Sequence, residues 1–528
     1  MASRFAGRRL SVVRLSIVLA IAALIVGGSL SAWGRVQDAA QADQSHAWFG
    51  SYVDATSTPF YPIGDSVAAG ERVVLGFAVA DPKDPCQPSW GSYYSMDGAA
   101  ETFDLDRRVA RVQESGGSVV VSTGGLINDE PAVACEDPAR LVAAYGNLLE
   151  RYDSSTLDLD IEGAALENAA ASERRVTAVR EVQDRFAAAG KPLQVWLTLP
   201  VATDGLTAAG LAEVERYVAG GVELAGVNLM TMNFGGTRSA DQSMAEASIQ
   251  GARSTHRQLK NLYRSHGTEW GDRSLWRKIG LTPMIGQNDL LGEIFTPQDA
   301  RDLNAFALEV GVGRVSMWSA NRDFDCGPNY PDLTRVSNNC SGVSQAPGEF
   351  ASELARDIAK MGLQDVAEPS GGIQSAPAAT AIVDNPETSP YPIWNEEAAY
   401  VEADRIVWRG NVYEAKWWTQ GDAPDAPVAA SEATPWTLVG PVLPGDKPEE
   451  PVLAPDGLYP EWSAKRVYTK GDRVLYEGRV LEAKWWNTEE SPEAALQSAA
   501  NTPWTLLTNA QVKELVAAST EATESPAP

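Results

Sequence analysis

The segment Leu157–Gly163 places three carboxylates at alternate positions, Asp158, Asp160 and Glu162, with aliphatic residues between them. On a β-strand this spacing sends the three acids to one face and the aliphatic side chains to the other. Neighbouring negative charges raise the pKa of a carboxyl group, so one of the three is predicted to hold a proton at neutral pH. Such a group can act as a general acid.

The residues from about 47 to 362 alternate between apolar segments and helical patterns. Most apolar segments are continuous in hydrophobicity, which is typical of parallel strands covered on both faces. The predicted strands are Trp48–Asp54, Arg72–Val79, Ser118–Thr123, Leu157–Glu162, Leu193–Leu199, Gly226–Met232, Lys278–Ile285 and Gly313–Trp318. Helices are predicted at Pro138–Arg151, Ser172–Ala189 and Pro297–Val310. This order predicts an α/β fold, a (β/α)₈ TIM barrel at residues 45–365, with its site at the carboxyl ends of the strands.

A repeat with an offset of 68 residues follows the barrel, since Tyr391 recurs as Tyr459 and Trp436 as Trp504. Both copies contain Glu-Ala-Lys-Trp-Trp and Thr-Pro-Trp-Thr-Leu. We expect two small all-β modules at residues 391–439 and 458–507. The segments 366–390 and 440–457 are expected to be linkers with no core of their own, and residues 508–528 a disordered tail.

The two repeats contain nine of the 16 tryptophans. A module of about 48 residues cannot bury five large aromatic side chains completely. The small core of the first copy is expected to hold Trp394, Trp408 and Trp436. On a strand the two indoles of an adjacent pair point to opposite faces, so one can lie in the core while the other is exposed. All four residues of the two pairs are expected to form the sugar-binding surface of the modules. These pairs are Trp417 with Trp418 and Trp485 with Trp486.

The net charge of −27 argues against nucleic acid or an anionic membrane surface as a partner. The acidity fits an uncharged partner, and equally a role in solubility alone. Residues 1–32 contain an arginine-rich start and an apolar run, which predict a signal peptide or a membrane anchor. Cleavage near Ala32 is favoured over a retained anchor, so the protein is expected to be secreted.

Four cysteines suit an oxidising compartment, and three pairings are possible. Proximity in the chain favours Cys326–Cys340, which leaves Cys86–Cys135. The sequence has neither CxxC nor HExxH and only three histidines. We therefore expect no zinc site, no other metal and no cofactor.

The repeats resemble the chitin-binding modules of carbohydrate-binding families 5 and 12. The resemblance rests on Tyr-x-x-Trp, on Tyr-Glu-Ala-Lys-Trp-Trp-Thr and on Pro-Trp-Thr-Leu. It implies chitin and chito-oligosaccharides as partners of a monomeric protein. Two tethered copies would raise the avidity for a polymer.

The segment Ser155–Glu162 resembles the fourth-strand signature DGxDxDxE of family 18 glycoside hydrolases, with Ser155-Thr156 in place of the leading Asp-Gly. Ser122-Thr123-Gly124-Gly125 is similar to the family's SxGG on strand three, and Met317-Trp318 matches strand eight. The resemblance covers residues 47–362. It implies a chitinase that hydrolyses β-1,4 linkages between N-acetylglucosamine units.

The resemblance also implies a role for each acid. Glu162 would protonate the glycosidic oxygen, and Asp160 would hydrogen-bond Glu162 and then the N-acetyl group. Asp158, deeper in the barrel, would hold a proton that supports Asp160. One obvious general acid and no second carboxylate placed as nucleophile fit the substrate-assisted, retaining route, in which the acetamide oxygen attacks.

Strand six departs from the family's Met-x-Tyr-Asp, because it reads Met230-Thr231-Met232-Asn233. This resembles a bacterial and archaeal branch of the family with Met at that position. Gln287 or Asn233 would then have to contact the acetamide. Trp318 would form the floor under the sugar. The implied substrate-binding residues are Trp318, Met232, Asn233, Gln287 and Ser122.

Strands seven and eight lie only about 30 residues apart, which leaves no room for an additional α+β insertion. We therefore expect an open cleft and endo-type cleavage. Two other functions stay open: a non-catalytic or weakly active chitin-binding protein, and an endo-β-N-acetylglucosaminidase. A triad of acids can also bind calcium or face water, which is the alternative for Asp158, Asp160 and Glu162.

Overall fold

The computed structural model describes residues 47–63, 71–328, 335–361, 383–396, 398–426, 433–448, 450–496, 502–507, 511–513 and 515–516. The chain divides into two compact units, residues 1–369 and 370–528. The predicted export segment lies outside the described residues, as do most of the first predicted linker and of the predicted tail. Within the described part of the chain, no helix is long and apolar enough to cross a membrane.

Eight parallel strands close into a barrel in the first unit. They are β1 (Trp48–Asp54), β2 (Arg72–Ala80), β3 (Ser118–Gly124), β4 (Thr156–Asp160), β5 (Gln194–Ala202), β6 (Leu224–Thr231), β7 (Ile279–Pro283) and β8 (Arg314–Met317). Each strand pairs with its neighbours in sequence, and β1 pairs with both β2 and β8. The predicted (β/α)₈ barrel is confirmed, and the observed strands overlap all of the predicted ones.

The longer helices of this unit are α1 (Met96–Phe103), α2 (Leu105–Glu114), α3 (Pro138–Arg151), α4 (Ala169–Ala188), α5 (Ala208–Ala219), α6 (Met244–Ser265), α7 (Pro297–Val310) and α8 (Glu349–Ala355). Short helices lie at Pro131–Ala134, Gly163–Glu167 and Asp272–Trp276. Two-stranded extensions involve Pro88–Trp90, Tyr94–Ser95, Gly205–Leu206, Gly286–Gln287 and Ile294–Phe295. Helix α4 begins earlier than predicted because Asn168 accepts a hydrogen bond from the Ala171 N–H and caps it.

The barrel has two separate apolar regions. The larger one packs the strands against the surrounding helices. The smaller one fills the barrel interior with Trp48, Tyr52, Val74, Val120 and Trp196. The guanidinium of Arg314 lies among these rings, 4.8 Å from the ring centre of Trp48 and 5.7 Å from that of Trp196. The barrel interior thus surrounds a fully buried cation with aromatic faces, which attract it.

Two disulfides, Cys86–Cys135 and Cys326–Cys340, cross-link the first unit. The pairing favoured by proximity in the sequence is therefore confirmed. Both bonds join segments that follow the carboxyl ends of barrel strands, since Cys86 follows β2 and Cys326 follows β8. They restrict loops on the face of the barrel that carries the acids.

Both repeats form the same small β-structure in the second unit. A three-stranded antiparallel sheet is accompanied by a two-residue strand pair in each copy. The first copy uses Arg405–Trp408, Asn411–Ala415 and Trp436–Pro441, with Ala399–Tyr400 paired to Thr419–Gln420. The second uses Arg473–Tyr476, Arg479–Ala483 and Trp504–Leu506, with Val467–Tyr468 paired to Asn487–Thr488. Trp436 and Trp504 are buried, as core residues should be.

The adjacent tryptophans lie at the surface as expected, but the expectation that each pair lies on a strand is wrong. Trp417 and Trp418 are 45% and 55% exposed, and Trp485 and Trp486 are 51% and 62% exposed. Each pair lies in the bend after a strand, between Ala415 and the next strand in the first copy. The alternation of faces along a strand does not apply in a bend, so both indoles of a pair reach the surface. Trp394 and Trp408 are partly buried and pack edge to face, 4.9 Å between ring centres.

The second predicted linker, residues 440–457, is partly ordered against the second repeat. Ala454 is buried, and its N–H donates to the Gly478 carbonyl oxygen. Val452 packs against the same apolar cluster. A few apolar residues in a Pro-rich segment are enough to dock it on a neighbouring sheet.

Gly124, at the end of β3, allows β3 to approach the end of β4. Its φ is +98°, and a Cβ built there would lie 2.1 Å from the carbonyl oxygen of Asp160. The next residue is also constrained, because a Cβ at Gly125 would lie 2.9 Å from the Phe77 ring. Two glycines in succession are therefore needed beside the acid-bearing strand.

Gly124→Ala should lower the free energy of unfolding by about 2 kcal/mol or more, since backbone strain adds to a steric clash. The control is Gly190→Ala, at a φ of +74° with no atom within 4 Å of the added Cβ. The control should lose only about 1 kcal/mol. Urea unfolding of the barrel, followed by tryptophan fluorescence, measures both. Equal losses would contradict the close approach of β3 to β4.

Candidate active site

A cavity of about 390 Å³ opens at the carboxyl ends of the barrel strands. Its lining includes Tyr52, Phe77, Asp160, Glu162, Met230, Met232, Asn233, Asp289 and Trp318. A larger groove of about 840 Å³ lies at the amino ends of β4 and β5. Charged side chains there pair with each other, Arg185 with Glu150 and Lys191 with Asp153. We place the candidate site in the smaller cavity, because its acids lack such partners.

Strand β4 carries the acids upward into this cavity. Asp158 and Asp160 are buried on the strand, and Asp160 lines the cavity. Glu162 lies just beyond the strand, with extended backbone angles of −141° and 175°, where the short helix Gly163–Glu167 begins. The extended backbone continues the alternation by one step, so Glu162 faces the cavity with Asp160.

Asp158 lies below the cavity and is fully buried. Its Oδ2 accepts hydrogen bonds from the Tyr52 hydroxyl at 2.6 Å and the Ser122 hydroxyl at 2.7 Å. Its Oδ1 accepts from the Thr198 hydroxyl at 2.7 Å and forms an ion pair with the buried Arg314. Four donors, one of them a cation, stabilise the carboxylate form. The chain thus supplies a buried positive charge beside Asp158, which the sequence did not predict.

The surroundings of Asp160 disfavour a negative charge, in contrast to those of Asp158. Burial, followed by the negative charges of Glu162 and Asp158, raises its pKa well above the ordinary value for an aspartate. Its Oδ1 is buried and has no hydrogen-bond partner among the described residues. A buried carboxyl group without donors is more stable in the protonated form. Asp160 is therefore the acid of β4 whose buried surroundings favour the proton-bearing form.

Glu162 has a pKa of about 7, raised first by burial and then by the negative charge of Asp289. A carboxyl group with this pKa is partly protonated at neutral pH and changes its charge with little cost. This is the property that the sequence predicted for one member of the triad. Burial and neighbouring negative charges raise the pKa of both upper members, Asp160 and Glu162.

Trp318 forms an apolar floor. It lines the cavity, is half-buried, and stacks on Phe77 with ring centres 5.4 Å apart and planes 16° apart. Tyr52 contacts both rings, with each ring centre 6.0 Å away. A flat indole face of this kind can hold the apolar face of a sugar ring.

Two predicted substrate contacts are not at the cavity. Ser122 is fully buried, and its hydroxyl donates to Asp158 instead. Gln287 is 3% exposed, and its amide donates to the Asn288 carbonyl oxygen at 3.0 Å. Both expectations were wrong because each polar side chain serves a neighbouring buried group that only the fold brings close.

Met232 and Asn233 line the cavity as expected, but the Asn233 amide is already used. Its Nδ2 donates to Asp289 Oδ2 at 2.7 Å, and its Oδ1 accepts from the Asp289 N–H at 3.1 Å. Neither residue that was expected to contact the acetamide is thus placed to do so without rearrangement.

The sequence analysis missed several residues around the acids. They are Tyr52, Phe77, Thr198, Asp289 and Arg314. Arg314 left one signal, because a charged residue inside an apolar strand that is covered on both faces requires a partner. Asp289 left none, since it lies in a polar loop.

Arg314→Met should lower the free energy of unfolding by about 3–5 kcal/mol at pH 7, because Asp158 would be a buried charge without a partner. The loss should shrink at pH 4.5, since the folded variant can then take up a proton at Asp158. Urea unfolding at both pH values measures this. Arg314→Met combined with Asp158→Asn should recover part of the loss. A pH-independent loss, or no recovery, would contradict the ion pair.

Comparisons with known proteins show similarity in both units of the chain. Residues 461–505, in the second repeat, match the carbohydrate-binding module family 5/12. The chain is 35% identical over 293 residues to a probable bifunctional chitinase/lysozyme of Escherichia coli, which is 54% of this chain and 31% of that protein. It is 35% identical over 239 residues to endochitinase 11 of Metarhizium anisopliae, which is 44% of each. The chain thus spans less than half the length of these relatives.

Among solved structures, the catalytic domain of a hyperthermophilic chitinase from Pyrococcus furiosus is similar, with a TM-score of 0.51 and 26% identity. The match covers 60% of this chain and 96% of that domain. The predicted resemblance to family 18 chitinases is confirmed by these similarities. The first unit is therefore homologous to chitinase catalytic domains, and the second contains a carbohydrate-binding module of family 5/12.

Proposed function

We propose that this protein is a chitinase that cleaves β-1,4 linkages between N-acetylglucosamine units by the retaining, substrate-assisted route. The observation that supports this most is the pair Asp160 and Glu162, two carboxyl groups that favour the protonated form in one cavity with an aromatic floor. The similarity to chitinases supports the substrate class.

Glu162 protonates the leaving glycosidic oxygen, while the acetamide oxygen of the sugar attacks the anomeric carbon. Glu162 is then a carboxylate and can accept the proton of Asp160. Asp158 cannot compete for that proton, because Arg314 and three hydroxyl groups stabilise it as an anion. The newly charged Asp160 stabilises the positive oxazolinium. When water opens the oxazolinium with retention, Glu162 returns the shared proton to Asp160 and accepts the proton of the water, which restores both carboxyl groups.

An open cleft and endo-type cleavage are part of the proposal. The segment between β7 and β8 holds the strand pair Gly286–Gln287 and Ile294–Phe295 and helix α7. It contains no additional folded layer that could wall the cavity. We also propose that the protein is secreted, because its N-terminus contains an apolar run and the first unit contains two disulfides. Action as a monomer is part of the same proposal.

Two alternatives are distinguishable by activity. A non-catalytic chitin-binding protein would bind chitin and release no oligosaccharide. An endo-β-N-acetylglucosaminidase would cleave glycoprotein glycans or peptidoglycan and leave chito-oligosaccharides intact. The resemblance of the repeats to chitin-binding modules does not favour either alternative over a chitinase.

Glu162→Gln should lower kcat on soluble chito-oligosaccharides by at least about 100-fold, because the amide cannot donate the proton. The matched control is Glu167→Gln, an exposed residue on the same short helix, which should keep the wild-type rate. Product analysis by chromatography measures both. A wild-type rate in Glu162→Gln would exclude Glu162 as the acid.

Replacing Trp417, Trp418, Trp485 and Trp486 by Ala should weaken binding to insoluble chitin at least about 10-fold, since the exposed stacking surface is lost. Turnover of soluble oligosaccharides should stay unchanged, because the cavity lies in the other unit. Val467→Ala, at an exposed aliphatic residue of the second repeat, is the control. Loss of soluble turnover together with binding would contradict separate roles for the two units.

A further inference from the structure

A side-chain pair at the cavity joins the end of β6 to the loop after β7. Asn233 donates from Nδ2 to Asp289 Oδ2, and its Oδ1 accepts from the backbone N–H of Asp289. The Asn233 N–H also donates to Asn288 Oδ1 at 3.3 Å. These bonds fix Asp289 on the cavity wall, although its side chain remains exposed to solvent.

The same pair places a carboxylate on the cavity wall beside β6. Asn233 follows that strand, and its amide hydrogen-bonds the Asp289 carboxylate of the neighbouring loop. The negative charge on this part of the wall is thus borne by Asp289.

We propose that Asp289, held by Asn233, is a positioning residue whose negative charge keeps the Glu162 carboxyl group in its proton-bearing form. The proposal rests on the proposed function, since it concerns the acid of that reaction. Asp289 acts through Glu162 and has no assigned contact with substrate.

The other charged groups near Glu162 do not replace this effect. Besides Asp289, the titratable side chains on the cavity wall are Tyr52, Asp54, Tyr93 and Asp160. Asp54 accepts hydrogen bonds from the Thr56 hydroxyl and N–H. Burial raises the pKa of Asp160 well above the ordinary value for an aspartate, so its surroundings favour the neutral form.

Groups behind the wall are paired. Below the cavity, Asp158 is neutralised by Arg314. Behind Asp289, Glu293 accepts from the N–H groups of Phe234 and Gly235 and lies 3.9 Å from Arg238. Asp289 is therefore the negative charge that raises the pKa of Glu162, after burial.

The first test is the alkaline limb of the pH profile of kcat/KM on a soluble chito-oligosaccharide. Loss of the charge in Asp289→Asn should shift this limb down by roughly 0.3–1 pH unit, because Glu162 would release its proton more readily. The shift should shrink in 1 M salt, since Asp289 is exposed and screened. Asp302→Asn, on the outer helix α7, removes the same charge from the surface and should leave the limb unchanged.

A charge swap separates the effect of charge from that of structure. Asn233→Asp combined with Asp289→Asn keeps one amide and one carboxylate in the same hydrogen-bonded pair. The φ of +52° at position 233 suits aspartate as well as asparagine. The swapped variant should return the limb toward the wild-type value. A limb that stays low in the swap would show that Asp289 matters for its position rather than for its charge, and would overturn the proposal.

The second test does not depend on turnover. The Glu162 carboxyl group can be titrated by carbon-13 NMR of glutamate-labelled protein, with its signal assigned by its loss in Glu162→Gln. The midpoint should fall in Asp289→Asn and recover in the swap. An unchanged midpoint would show that the Asn233–Asp289 pair only holds the loop in place and does not affect the titration of Glu162, which would overturn the proposal. If the wild type proved inactive, the proposed function would fail, while this titration would still decide the role of Asp289.

Discussion

The ion pair between Asp158 and Arg314 is the interaction on which the site depends. Both side chains are fully buried inside the barrel, where a single unpaired charge would be very unfavourable. The aromatic rings of Trp48, Tyr52 and Trp196 surround the guanidinium and exclude water from it. The strands β1, β3, β4, β5 and β8 each supply a side chain to the hydrogen-bond network around Asp158. The network is therefore complete only when the barrel is closed.

The ion pair also sets the charge of the groups above it. An anionic Asp158 disfavours a second charge on Asp160, and burial of Asp160 without donors acts in the same direction. The pKa of Asp160 is therefore raised well above its ordinary value, and that of Glu162 is raised to about 7. Along β4 the environment of the three acids differs. Asp158 is paired with a buried cation, Asp160 is buried without hydrogen-bond donors among the described residues, and Glu162 faces the cavity. Three acids of similar chemistry thus acquire three roles.

The sequence predicted the barrel, the acid strand and the repeats because each leaves a local pattern. Continuous apolar segments indicated the parallel strands, and alternate acids placed Asp160 and Glu162 on the cavity face. The predictions that failed concern side chains whose partners come from distant segments of the chain. Arg314 lies 156 residues from Asp158, and no local pattern links them. Ser122 and Gln287 were expected at the substrate because they lie near strand ends, yet each bonds a buried neighbour. The paired tryptophans were expected at the surface, but on a strand, whereas they lie in a bend.

Neutron diffraction from crystals exchanged into heavy water at pH 6 tests the central claim most directly, because it shows which carboxyl oxygens carry a deuteron. The network around Arg314 predicts a deuteron on Asp160 and none on Asp158. A deuteron on Asp158, with Asp160 ionised, would contradict the control of both charges by the buried ion pair.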